Sequence, residues 1–231
     1  MAYTLFYSPD SANIVVRMAL EEIGAAYEAQ EVDRRQNAQR SAAFLKFNPQ
    51  GLLPVLVDPA QDEPLFETAA ILLHLADQHS ALQPQDGRAR GRFLKWLFYL
   101  SNTLHADLRI AFYTQRYALD NESMAALRVQ LRGRIAAHLA LLDAEIARHQ
   151  GPWLLGAELS VCDLYLAACV RWAQLYPRDE ALPTTALQAL PRLLSLLQQL
   201  DARPAVRKAF AAEGIAGPLF LAPQYPSNPV V

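Results

Sequence analysis

The chain has 231 residues, a net charge of −2, 52% hydrophobic and 19% charged residues. That length is enough for one or two domains with a sizeable core, and the composition is that of a folded globular protein, not a disordered one. The near-neutral charge argues against a nucleic-acid footprint of clustered Lys and Arg, and no stretch approaches the roughly 20 apolar residues of a membrane span.

The opening residues, MAYTLFYSPD, lack a basic region followed by an apolar run, so the reading is a cytoplasmic protein without a signal peptide. Residues 3–7, YTLFY, form a short apolar strand, and residues 12–24, ANIVVRMALEEIG, an amphipathic helix stopped by Gly24. A second strand follows at 27–32, YEAQEV, then a short helix at 37–47 before Asn-Pro-Gln-Gly. Two apolar strands, at 53–58 and 64–66, flank the turn-rich PAQDE, and residues 67–80 repeat apolar positions at Ile71, Leu72 and Leu75 as a helix does. The order βαβ–α–ββα predicts a small α/β domain over 1–80 whose first two strands are parallel.

Residues 81–91 are polar, hold Pro84 and Gly87, and read as a linker. From 92 to 231 the chain reads all-helical. Phe93, Trp96, Leu97, Leu100 and Leu104 mark one stripe, and Leu127, Leu131, Ile135, Leu139, Leu142 and Ile146 another. Residues 161–173, VCDLYLAACVRWA, are apolar nearly all round and predict a central buried helix. Its Cys162 and Cys169 stand two turns apart on one face, too far for a disulfide, and read as buried free thiols. Helices over 191–204 and 205–214 complete the bundle, and a tail with Pro218, Pro223, Pro226 and Pro229 reads as irregular. The five His and two Cys show no ligand spacing, so no metal is expected.

Several motifs at matching places resemble the cytosolic glutathione S-transferases. NPQGLLPVL (48–56) is similar to the family's Asn-Pro-x-Gly-x-x-Pro-x-Leu segment, and FETAAILLHLA (66–76) to its acidic-Ser/Thr-x-Ala-Ile turn. LSVCDLYLA (159–167) resembles its Ser/Thr-x-x-Asp box, and ARPAV (202–206) and Glu213-Gly214 also fit. The resemblance implies a thioredoxin-like first domain, an all-helical second domain, a homodimer, and glutathione as co-substrate of a transferase acting on small hydrophobic electrophiles. A glutathione-dependent disulfide or peroxide reductase of the nu type, and a non-enzymatic glutathione-binding or regulatory protein, are the alternative readings.

The resemblance also implies site residues. Ser11, in a Ser-Ala-Asn close to the Ser-Thr-Asn of phi members, is the expected sulfur ligand, with Asn13 and Tyr7 behind it. A lone Ser or Asn at a helix start is more often only a cap. Ala12 falls near the place where beta and omega members carry a catalytic cysteine, so protein-cysteine chemistry is not expected. Leu53, before a Pro54 that the family holds cis, would pair its backbone with the cysteinyl unit. Glu67 would take the γ-glutamyl ammonium, and Thr68 with the helix start its carboxylate. Leu52 stands where many members carry Lys or Gln, so the glycine carboxylate falls to Gln39 and Arg40, with Lys46 the weaker rival. His105, Arg109, Phe112 and Tyr113 are the expected electrophile contacts, although aromatics at this spacing are also core formers. Asp163 with Ser160 reads as a structural capping pair.

Overall fold

The computed structural model describes residues 2–178 and 184–226. Pro229 of the expected tail lies outside them. The chain divides into two compact units: residues 1–82 with 202–219 and 224–231, and residues 83–201 with 220–223.

The first unit holds a mixed four-stranded sheet, β1 (Tyr3–Tyr7), β2 (Tyr27–Glu31), β3 (Val55–Val57) and β4 (Leu65–Phe66), in the order β2-β1-β3-β4. β1 and β2 are parallel, while β3 runs antiparallel to both β1 and β4. Side chains alternate across a strand, so Phe6, Val55 and Val57 share one face. There they pack with Val32, Phe44, Phe47 and Phe66. Leu5 and Leu56, fully buried, point the other way. Between β1 and β2 runs α1 (Asn13–Ile23), which ends where Gly24 turns left-handed at φ 74° and donates back to Glu21 and Leu20. α2 (Thr68–His79) follows β4.

The helix expected at 37–47 is instead a run of single 3-10 turns, Arg34–Gln36, Ala38–Arg40 and Phe44–Lys46. Asn37 in the left-handed region (φ 55°) and Ser41 extended (ψ 148°) each interrupt the α geometry, so no second turn propagates.

The second unit is helical: α3 (Arg90–Tyr99), α4 (His105–Phe112), α5 (Asn121–Arg148), α6 (Val161–Leu175) and α7 (Pro191–Asp201). α3 therefore begins inside the expected linker. A π-helical turn, Leu100–Leu104, joins α3 to α4. α6 is buried along its whole length except Gln174, and both its cysteines are buried and free. Its start is held by Asp163, whose carboxylate accepts from Leu154 N–H (2.7 Å), Ser160 N–H (2.8 Å) and the Ser160 hydroxyl (2.7 Å).

One helix changes sides. α8 (Pro204–Ala211), expected in the helical bundle, belongs with the first unit. It lies against α1, where Arg203 grips Glu22 through Nε and Nη2 at 2.6 Å each and Lys208 reaches Glu21 at 2.7 Å.

Candidate functional site

Strand register gathers the expected site residues at one end of the first sheet. Phe6 stands opposite Val55, Val55 opposite Phe66, and Tyr7 opposite Glu31. Because β3 alone is reversed, four segments leave the sheet at this same end. They are the turn after Tyr7 that carries Ser11, the Leu53–Pro54 pair before Val55, the Glu67–Thr68 step after Phe66, and the 3-10 turns after β2 that carry Gln39 and Arg40.

Ser11 sits partly exposed in the turn that leads into α1. No side chain caps α1, whose N-cap is Ala12, so the positive end of the helix is left beside Ser11. The Ser11 hydroxyl donates to Asn13 Oδ1 in a short contact. Asn13 itself is fully buried: Oδ1 also accepts from Ser8 N–H at 3.0 Å, and Nδ2 donates to Glu213 at 2.6 Å. Its oxygen thus serves the turn and its NH2 the distant Glu213. Tyr7, at the end of β1, has the Arg17 guanidinium 4.4 Å above its ring. Burial, with the Glu31 carboxylate, holds its phenol above the ordinary value.

The Leu53–Pro54 peptide is cis, and among the described residues no protein group bonds the Leu53 backbone. The loop before it is knit by buried Asn48, whose side chain accepts from Gln50 N–H (3.0 Å) and donates to Leu52 C=O (2.9 Å). Gly51 turns with φ 63°, and a Cβ there would stand 2.8 Å from the Gln39 carbonyl. A side chain is excluded on both counts.

Glu67 is exposed and takes φ 71°, a conformation rare for a residue with a Cβ, while Thr68 behind it is buried at the head of α2. Gln50, a residue the motif reading passed over, bridges the cluster. Its carbonyl accepts from Arg40 Nη1 (3.0 Å), and its Nε2 donates to Glu67 (3.2 Å). Gln39 Oε1 is buried and has no hydrogen-bond partner among the described residues. Such an acceptor costs roughly 1–3 kcal/mol until something donates to it.

In the second unit His105 is engaged with α6. Its Nδ1 pairs with the Tyr165 hydroxyl at 2.7 Å, and its ring lies 5.0 Å from that of Trp172. Burial, helped by Arg109, lowers its pKa to about 4, so the imidazole is neutral at pH 7. Arg109 is exposed. Phe112 meets Tyr113 and Tyr176 edge-on, and Arg116 lies 4.1 Å over Tyr113. Among the described residues no group of three or more His, Cys, Asp or Glu could hold a metal ion.

Two family models match: the glutathione S-transferase N-terminal domain over residues 1–77 and the C-terminal domain over residues 106–213. Glutathione S-transferase GstB of Escherichia coli is 33% identical over 89% of this chain and 96% of its own. Disulfide-bond oxidoreductase YfcG of the same organism is 28% identical over 89% and 93%. The crystal structure of a glutathione transferase homologue from Sulfitobacter, with bound glutathione, superposes with a TM-score of 0.78 at 27% identity, covering 91% of this chain and 98% of that one.

Proposed function

The chain belongs to the glutathione S-transferase family, and from that premise we propose that it binds glutathione at the convergent end of the first sheet. Ser11 holds the sulfur as thiolate for attack on a hydrophobic electrophile. The observation that carries this reading is the register that aligns Phe6, Val55 and Phe66, since it draws Ser11, Leu53 and Glu67 to one end.

Each contact follows from the chemistry of the groups. Leu53 offers an unpaired backbone to the cysteinyl unit, as a sheet edge offers itself to an added strand. Glu67 meets the γ-glutamyl ammonium. Thr68 and the start of α2 meet its carboxylate, which the helix dipole favours. Arg40 takes the glycine carboxylate, and the buried Gln39 acceptor suits a peptide N–H nearby. Arg109, Phe112 and Tyr113, with His105, are the electrophile contacts this reading carries.

The energetics of the thiol are adequate. A free thiol titrates near pKa ~8.5, and lowering that by two units needs about 2.7 kcal/mol. A hydroxyl donor to a charged sulfur supplies roughly 1.5–3 kcal/mol and an uncapped helix start roughly 0.3–1 more. The Ser11 proton rests on Asn13 Oδ1, and a thiolate, being charged, is the stronger acceptor and draws it away. Asn13 Oδ1 keeps its bond from Ser8 N–H, so the transfer orphans no polar atom.

A second reading, reduction of disulfides with two glutathione thiols, is favoured by one observation. The only cysteines, Cys162 and Cys169, are buried in α6, so a protein thiol is not offered for exchange. Burial raises both thiols above their ordinary value, Cys162 well above it. The two readings separate when conjugation of an aryl halide and glutathione-dependent reduction of hydroxyethyl disulfide are assayed side by side. Conjugation that exceeds reduction and falls about 10- to 100-fold in Ser11→Ala supports the transferase; this range converts roughly 1.5–3 kcal/mol at 1.4 kcal/mol per decade. Reduction alone selects the reductase, and neither activity with glutathione still bound selects the non-enzymatic protein. The reading carries a cytoplasmic homodimer, which sedimentation of the purified protein tests.

A further inference from the structure

Glu213, just past the end of α8, is buried, and its two carboxylate oxygens receive three donors from the Ser11 turn and α1. Asp10 N–H reaches Oε2 at 2.9 Å, while Asn13 Nδ2 and Arg17 Nε reach Oε1 at 2.6 and 2.9 Å. An acceptor without protons suits that set best, because a glutamine would turn an N–H toward another N–H. Burial pushes the Glu213 carboxyl up to about 7 while the Arg17 guanidinium draws it down, so the full set of three donors is met above neutrality.

The consequence lies one bond further on. With its NH2 on the carboxylate, Asn13 has to present Oδ1 to Ser8 N–H and to the Ser11 hydroxyl. A flipped amide would set its oxygen against the carboxylate and its NH2 against Ser8 N–H, two repulsions at once. Glu213 thereby decides which end of Asn13 faces Ser11. We infer that Glu213 is a positioning residue for thiol activation: it fixes the Asn13 amide, and through it the place of the Ser11 oxygen beside the start of α1, from which the thiolate draws the proton. It touches neither glutathione nor electrophile, and the inference rests on Ser11 as the sulfur ligand. The charged and titratable groups around it are Arg17 and Asp10, with Tyr7 and Tyr27 stacked against Arg17.

The test uses the full chain as wild type, Ser11→Ala and Glu213→Gln. Conjugation rates from pH 5.5 to 9.5 are set beside ultraviolet thiolate absorbance of bound glutathione. Wild type should hold the thiol well below the free value. Glu213→Gln should raise the bound pKa by about one unit, which is about 5-fold in thiolate at pH 6.5 and about 10-fold toward pH 5.5, and should converge on wild type above pH ~9, with KM for glutathione changed by less than about 3-fold. An unshifted bound pKa overturns the inference. So does a loss by one factor at every pH, the signature of a merely structural role. A wild-type thiol with no depression, or a Ser11→Ala variant indistinguishable from wild type, overturns the Ser11 reading and this inference with it. If Glu213→Gln does not fold because Arg17 is left buried and unpaired, the double variant Arg17→Met/Glu213→Gln removes both charges and meets the same criteria.

Discussion

Glu67 shows how little local chemistry needs to change to test the site. Its carboxylate is exposed and, among the described residues, held only by Gln50 Nε2, so its charge contributes little to the fold. Toward a bound ammonium the same charge is worth roughly 1.5–3 kcal/mol. Glu67→Gln should therefore weaken glutathione binding by about 10-fold or more in calorimetry and leave the melting temperature within about 1 °C; unchanged affinity would remove Glu67 from the site. Glu67, Thr68 and Ser11 were singled out because each stands inside a short pattern. Gln50 lay within a quoted motif but acts through both its carbonyl and its amide, which residue type alone does not announce. Glu213 was quoted only as part of a short end motif, and nothing local announced its role: its partners Asp10, Asn13 and Arg17 stand about 200 positions away.

Among elements, α6 was the most readable, because fourteen of its fifteen residues are buried and its Ser-x-x-Asp start is a capping signature. Removing Asp163 leaves Leu154 N–H and Ser160 N–H buried without their acceptor, at roughly 1–3 kcal/mol each. Asp163→Ala should lower the urea midpoint sharply and spare the turnover of the molecules that remain folded; an unchanged midpoint would contradict a structural Asp163. The helix at 37–47 misread for a definite reason: its apolar spacing suits a helix, but Asn37 turns left-handed at its start and Ser41 goes extended in its middle. The π-helical turn before His105 had no composition signal either, since Leu-Ser-Asn-Thr-Leu fits an α-helix. His105 gives α4 a pH dependence. Its pKa is lowered from 6.5 to about 4 in the fold, mainly by burial, so the unfolded chain takes up the proton first. The stability it contributes is present above pH 6.5 and lost as pH falls toward 4. The stability gap between wild type and His105→Gln should accordingly shrink over that window in denaturant titrations; a gap independent of pH would mean that His105 is not held neutral.

At the scale of the whole molecule, the division into an α/β unit and a helical unit was legible because strands and helices alternate up to residue 80 and the chain reads helical after it. The path of the chain was not. α8 reads as one more amphipathic helix, and periodicity says which face is apolar without saying which partner covers it. It seats Val206, Ala209 and Phe210 in the first unit and delivers Glu213 to Arg17. A chain cut after Asp201 loses that burial, at roughly 1.5–3 kcal/mol for each large apolar side chain, and strands a buried Arg17 at roughly 3–5 kcal/mol more. At about 2–4 °C per kcal/mol, its melting temperature should fall by at least about 10 °C; a truncated chain as stable as the full one would show that α8 is dispensable to the first unit. The account as a whole turns on the state of the sulfur. Its most direct measurement is the ultraviolet difference absorbance of glutathione bound to the wild-type protein, followed from pH 5 to 9 beside Ser11→Ala. A bound thiol that ionises about two units below the free value of ~8.5, and returns to it in the variant, is the predicted result. Glutathione that binds and stays a thiol until its ordinary pKa would contradict it.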